Sequence, residues 1–83
     1  MFYAFSLDRE NRPITGCLEL DNSALSAVII SMNCKKGVVP NIYLCSQERL
    51  VQVYASMREC QEVHDTFVTL YGEHTLGSDL YEK

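Results

Sequence analysis

The segment from Ser46 to Gly72 carries the longest helix-type pattern in the chain, and it therefore constrains the fold most strongly. Ser46 is a favourable N-cap residue, Glu48 lies where the helix dipole favours negative charge, and Gly72 is a natural C-terminal stop. The pattern predicts one long amphipathic helix over residues 46–72. At about 100° per residue, the side chains that gather on its inner side are Leu50, Val53, Tyr54, Met57, His64, Val68 and Tyr71.

The first 45 residues predict three strands and a shorter helix. Residues 2–7 are rich in aromatic side chains, and residues 14–20 follow a polar turn as the second strand of a hairpin. Asp21 offers an N-cap and Gly37 a C-terminal stop, so a helix is expected over about residues 24–35. Beyond Pro40, which favours extended backbone, residues 42–45 are predicted to form the third strand.

These elements give the order β-β-α-β-α in a single domain of 83 residues. The expected fold class is α+β, with a three-stranded antiparallel or mixed sheet packed against two helices, the second of them long. Residues 72–83 are expected to form an irregular C-terminal tail. Aromatic side chains on both sides of the first strand indicate either that both faces of the sheet are covered or that one face contacts a partner.

The net charge of -4 is carried by the second half of the chain. Residues 1–40 contain four basic and four acidic side chains, whereas residues 41–83 contain three basic and seven acidic ones. Because a negative surface repels phosphate, the charge disfavours direct nucleic-acid binding and favours a partner protein with a basic surface. The alternative is that mild acidity only keeps the protein dissolved.

The four cysteines have neither zinc-finger spacing nor a C-x-x-C pair. The N-terminus lacks a signal-peptide pattern, and no apolar run approaches the roughly 20 residues needed to cross a bilayer. We therefore expect a cytoplasmic protein that does not contact a membrane, with reduced and mostly buried thiols. The cysteines concerned are Cys17, Cys34, Cys45 and Cys60.

No residue pattern in the chain indicates catalysis. Cys60 and His64 lie four residues apart and His74 could approach them, but a hydrogen-bonded core histidine is the more ordinary interpretation of His64. A nucleophile elbow and a glycine-rich phosphate loop are both missing from the sequence. The sequence therefore predicts no enzyme, no metal and no cofactor, and a Cys/His metal or redox protein remains only as a third hypothesis.

The leading hypothesis is a small acidic, non-enzymatic protein that inhibits or regulates a partner by covering a basic, nucleic-acid-binding surface on it. A row of carboxylates on a rigid helix can imitate the charge of a nucleic-acid backbone, as compact inhibitors encoded by phages and mobile elements do. Tyrosines beside the row would anchor the contact, since they bring large area at little entropic cost. The predicted partner-binding residues are Glu48, Glu59, Glu62, Asp65, Tyr3 and Tyr81.

The second hypothesis is a structural or regulatory homodimer. Val51, Val63 and Leu70 lie off the main apolar stripe of the predicted long helix, where a simple surface helix would carry polar residues. They are therefore the predicted self-association residues. The alternative is that the helix bends, or that the rest of the fold wraps more of its surface.

Overall fold

An antiparallel sheet occupies the middle of the structure, a computed structural model that describes residues 1–74. In chain order its elements are β1 (Phe2–Leu7), β2 (Leu18–Leu20), α1 (Asn22–Ser31), β3 (Lys35–Lys36), β4 (Ile42–Cys45), a 3-10 turn (Ser46–Glu48), β5 (Arg49–Tyr54) and α2 (Met57–Tyr71). The strands are arranged in the order β2-β1-β5-β4-β3. The two edge strands are only three and two residues long, which limits unwanted pairing with other chains.

Each face of the sheet is covered by one helix. Successive residues of a strand point to opposite faces, so β1 contributes Ala4 to one core and Phe5 to the other. The α1 side is a buried cluster that includes Val28 and Val51, and the α2 side is a smaller cluster centred on Phe5, Leu7 and Cys60. The aromatic residues on both sides of β1 are thus explained by the first alternative, in which both faces are covered.

The first helix has the predicted N-cap, but it begins at Asn22, slightly before the predicted start near residue 24, and it ends earlier than predicted. The Asp21 side chain accepts a hydrogen bond from the backbone N–H of Ala24 at 2.8 Å, which is the expected N-cap. The helix ends at Ser31, because Asn33 adopts a left-handed backbone conformation with φ of 52°. The expectation that the helix continues to residue 35 is wrong, since Lys35 and Lys36 form β3 and pair with β4.

The predicted long helix over residues 46–72 is wrong in its first half. Residues 49–54 form β5, the strand between β1 and β4, and the helix starts only after Ser56, whose hydroxyl accepts from the N–H of Glu59. A strand covered on both faces carries apolar residues on both sides, so the alternation that identifies a strand is lost. The C-terminal stop is confirmed, because Gly72 caps α2 with φ of 86°, a conformation that favours glycine.

The α+β class with two helices is confirmed, while the expectation of three strands is wrong. Within residues 1–74 the sheet has five strands, the additional ones being β3 and β5. No helix in this part of the chain is long and apolar enough to cross a membrane. The predicted irregular tail falls largely on residues 75–83, outside the described residues.

All four cysteines form disulfides, so the expectation of reduced thiols is wrong. Cys34 joins Cys45 across the base of the β3–β4 hairpin, and Cys17 joins Cys60 on α2. Spacing along the chain gives no sign of either pair, because the hairpin and the docking of α2 bring the partners together. Disulfides persist mainly in oxidising compartments, so the cysteines no longer support a cytoplasmic location.

Candidate functional site

Three exposed carboxylates line the outer face of α2. Glu59, Glu62 and Asp65 are all exposed, and at 100° per residue they span an arc of about 120° around the helix. We call these three residues the acidic ridge. They form a row on a regular element, as the sequence predicts for them.

The inner face of α2 fixes the direction in which the acidic ridge points. The Cys17–Cys60 disulfide ties the first turn of the helix to the segment before β2. One turn later the His64 ring contacts the Phe5 ring edge to face, with 5.3 Å between ring centroids. Because both contacts lie in the core, the ridge is held in place before a partner binds, which lowers the entropic cost of association.

Hydrogen bonds keep part of the acidic ridge ionised. The Asp65 carboxylate accepts from His64 Nδ1 at 3.1 Å and from Gln61 Nε2 at 2.9 Å. The bond from His64, followed by the bond from Gln61, lowers the pKa of Asp65. Arg58 lies 3.3 Å from Glu62, but both side chains are exposed, so this ion pair is weak and neutralises only part of the ridge.

His64 is a buried core histidine, the more ordinary of the two roles considered for it from the sequence. Its side chain is 8% exposed, and with Nδ1 donating to the Asp65 carboxylate, Nε2 is left without a hydrogen-bond partner among the described residues. The ring therefore serves the ridge indirectly, by orienting Asp65.

Two tyrosines and a further carboxylate extend the acidic surface onto the sheet. Tyr3 lies directly between Glu19 on β2 and Tyr54 on β5, and its hydroxyl donates to Glu19 Oε2 at 3.1 Å. That hydrogen bond raises the pKa of Tyr3. Burial raises the pKa of Tyr54, and the negative charge of Glu59 raises it by a smaller amount. A hydrogen bond with Asn41 acts in the opposite direction. Glu59 therefore acts electrostatically on Tyr54, which pairs with Tyr3 in the sheet.

The predicted binding residue Glu48 is separated from the acidic ridge. It ends the 3-10 turn before β5, whereas α2 begins after the far end of that strand. The six residues of β5 span about 20 Å, so Glu48 and the start of the ridge lie at opposite ends of the sheet. Its carboxylate accepts a hydrogen bond from Arg9 at 3.0 Å. The prediction that Glu48 shares one helical face with Glu59 is therefore wrong.

The end of the sheet where Glu48 lies is held by a charge-compensated turn. The Asp8 carboxylate accepts hydrogen bonds from the backbone N–H groups of Glu10 and Arg12, each at 2.9 Å. It also lies 3.0 Å from Arg12 Nε and from His74 Nδ1. Because the charged groups of this turn pair with one another, the turn has a structural role. Its net electrostatic attraction for a charged partner is therefore small.

The remaining predicted residues do not form one surface. Val51 is fully buried in the α1-side core, so it cannot contact a symmetry mate, and that prediction is wrong. Val63 packs against the α2-side core, whereas Leu70 is 66% exposed. Tyr81 lies outside the described residues.

The cysteine and histidine residues considered for metal binding are engaged elsewhere. The Cys60 sulfur is bonded to Cys17, His64 lies against Asp65, and His74 lies against Asp8. Within residues 1–74, no group of three or more histidine, cysteine or acidic residues is arranged to hold a metal ion.

The sequence identifies the acidic ridge, but it does not identify Glu19. Glu19 becomes a candidate only because it lies opposite Tyr3 in the pairing of β1 and β2. The sequence does not specify the register of these two strands. Neither a known protein family, nor a curated protein, nor a solved structure matches this chain. The surface chemistry of the described residues is therefore the basis for a functional proposal.

Proposed function

We propose that this protein is a small, non-enzymatic binding protein that covers a basic surface of another protein with its acidic ridge. The observation that carries the proposal is the fixed row formed by Glu59, Glu62 and Asp65 on a helix whose inner face is clamped to the sheet. Fixed carboxylates attract a basic partner during encounter and restrict its orientation in the complex.

The tyrosines beside the ridge favour arginine as the main contact on the partner. A guanidinium group pairs with a carboxylate through two hydrogen bonds and also stacks on an aromatic ring. Tyr3 and Glu19 offer both groups side by side, and Tyr3 pairs in register with Tyr54, on which the charge of Glu59 acts. A partner surface rich in arginine fits this arrangement better than one rich in lysine.

An inhibitory role follows if the covered surface normally holds DNA or RNA. The protein would then exclude the nucleic acid by occupying its site, as inhibitors from phages and mobile elements do. This part of the proposal is supported only by the row of carboxylates on α2. A basic groove that binds the phosphate backbone of a nucleic acid on the partner protein would also attract such a row.

We further propose that the disulfide-bonded form is the one that binds. The Cys17–Cys60 bond connects α2 to the segment before β2, so its loss would free the first turn of the helix that carries Glu59. Because the reducing cytosol disfavours disulfides, a cytoplasmic site of action requires that these bonds survive there. Counting free thiols in protein isolated under acid quenching tests this point.

The proposal is tested by affinity capture from nuclease-treated source cells with two matched charge reversals. One variant carries Glu59→Lys and Glu62→Lys, on the ridge, and the other carries Glu10→Lys and Glu48→Lys, at the opposite end of the sheet. Each variant raises the formal charge by the same amount at exposed positions. We expect the native chain and the second variant to retain one basic protein that the ridge variant loses.

The same experiment can contradict the proposal. If the ridge variant retains every protein that the native chain captures, the acidic ridge is not the binding surface. If both variants lose the partner equally, overall charge rather than the ridge accounts for the interaction. Circular dichroism of the three chains would establish that each remains folded.

A further inference from the structure

An apolar groove opens on the α1 side of the sheet, and one of its lining residues, Tyr54, also feels the negative charge of Glu59. Its volume of about 280 Å³ lies just under the range of about 300–1,000 Å³ typical of small-molecule sites. The groove therefore suits side chains from a protein better than a whole ligand. None of its lining residues is charged, and they are Phe2, Leu25, Pro40, Asn41, Tyr43, Val53, Tyr54 and Ala55.

The loop between β3 and β4 forms one wall of this groove and carries two exposed valines beside it. Val38 is 103% exposed and Val39 is 50% exposed, and the next two residues, Pro40 and Asn41, line the groove. Exposed apolar side chains at the rim of an apolar groove mark a surface that associates with protein.

We call residues 37–41, between β3 and β4, the valine loop. This loop is held rigidly enough to act as a preformed projection. The Cys34–Cys45 disulfide closes its base, and the Gly37 N–H donates to the Ile42 carbonyl oxygen at 2.8 Å. A Cβ atom on Gly37 would lie 3.0 Å from that oxygen, so the close backbone approach depends on glycine. A rigid projection loses little entropy on docking.

Opposite charges flank the groove. Lys36 lies across from Tyr43 in the β3–β4 register, on the loop side. Asp21 caps α1 on the other side, one turn before Leu25. Both side chains are exposed, and neither makes an ion pair within residues 1–74.

We propose that the occupant of the groove is a second copy of this chain, in a two-fold symmetric dimer. A two-fold interface uses one patch on both copies, so the patch must complement itself. The patch formed by the groove and its rim is complementary to itself in two ways. It carries a projection, Val38 and Val39, next to a groove that can receive it. It also carries a cation, Lys36, and an anion, Asp21. The valines of each copy enter the groove of the other, and Lys36 meets Asp21 of the other copy.

None of the three carboxylates of the acidic ridge lines the groove, so the dimer would leave the ridge itself uncovered in both copies. The inference therefore stands independently of the proposed function. A dimer would display two ridges, which strengthens binding to a partner that offers two basic sites within reach.

Sedimentation equilibrium of the oxidised chain over a concentration series tests the dimer. The patch variant carries Val38→Asp and Val39→Asp, and the matched control carries Met57→Asp and Leu70→Asp, which are also exposed apolar residues but lie on α2. We expect the mass of the native chain and of the control to rise from 9.5 kDa towards twice that value, and the patch variant to remain a monomer.

Three results would overturn this proposal. A native chain that stays monomeric up to millimolar concentration would rule out a second copy as the occupant of the groove. A patch variant that dimerises like the native chain would place the interface elsewhere, and a control variant that fails to dimerise would show that the interface includes α2.

Charge substitutions examine the ion pair separately from folding. Asp21→Asn removes the charge but keeps a good N-cap, so the helix should survive. We expect Asp21→Asn or Lys36→Gln to weaken the dimer about threefold to thirtyfold, since each removes two exposed ion pairs per dimer. Unchanged dimerisation in both single variants would refute the pairing of Lys36 with Asp21.

Discussion

At the residue scale, Asp8 is the carboxylate that the fold uses most heavily. Burial opposes its ionisation, but the backbone N–H groups of Arg12 and Glu10, the His74 hydrogen bond and the Arg12 charge together hold the pKa of Asp8 below its ordinary value of 3.8. A carboxyl with a depressed pKa in the folded state stabilises the protein above its unfolded pKa. That stability is lost as the pH falls through the folded pKa.

We therefore predict that Asp8→Asn lowers the free energy of unfolding at neutral pH by about 1–3 kcal/mol, through the loss of charge-assisted hydrogen bonds. The variant should also lose less stability than the native chain between about pH 5 and about pH 2, because it has no carboxyl to protonate there. Urea unfolding across this range measures both effects. Glu10→Gln, an exposed carboxylate in the same turn, is the control and should follow the native pH dependence. Equal acid sensitivity of the Asp8→Asn and native chains would contradict this account.

Single residues also show where sequence reasoning succeeds. The exposure of Glu59, Glu62 and Asp65 follows from helical periodicity, which is a local property and holds even though the helix begins 11 residues later than predicted. The hydrogen bond between Tyr3 and Glu19 depends on the strand register, which is set by the whole sheet and cannot be obtained from spacing.

At the element scale, β5 is the part of the fold that the sequence misrepresents. Leu50, Val53, Tyr54 and Met57 match helical spacing, yet the first three belong to a strand of the sheet. Val51 and Val53 face one core while Leu50 and Tyr54 face the other, so both sides of the strand are apolar. Val51, Val53 and Tyr54 favour a strand locally, but this preference depends strongly on context and does not by itself distinguish a strand from a helix.

The two disulfides give a prediction that belongs to the elements they join. In the chain-entropy model, removing a cross-link costs about 4 kcal/mol for the 43-residue separation of Cys17 and Cys60, and about 3 kcal/mol for the 11-residue separation of Cys34 and Cys45. We expect paired Cys→Ala variants to lose stability in that order. Chemical unfolding under non-reducing conditions measures the difference.

A thiol assay provides the control for the disulfide prediction. The unfolded, unreduced native chain should react with no thiol reagent, since no cysteine is free. Four reactive thiols in freshly isolated protein, or native stability in both paired variants, would contradict the disulfide assignment.

At the scale of the whole molecule, the sheet separates two surfaces of different chemistry. The α2 side carries the acidic ridge, and the α1 side carries the uncharged groove with its exposed valines. The charge of the chain predicts an acidic binding surface but not its separation from the turn that holds Glu48, because that separation depends on β5 being a strand. This arrangement allows one side to bind a partner while the other side pairs with a second copy.

Binding of basic ligands along the acidic ridge can be observed residue by residue in a backbone amide footprint. A short arginine-rich peptide would be titrated into the isotopically labelled, oxidised chain while two-dimensional amide NMR spectra are recorded. We expect the largest shifts across residues 59–65 and at Tyr3 and Glu19, and we expect added salt to suppress them. An acidic peptide of equal length should cause none of these shifts. Shifts centred on Glu48 and the turn at Asp8, or shifts of similar size over the whole surface, would show that the acidic ridge is not the binding surface.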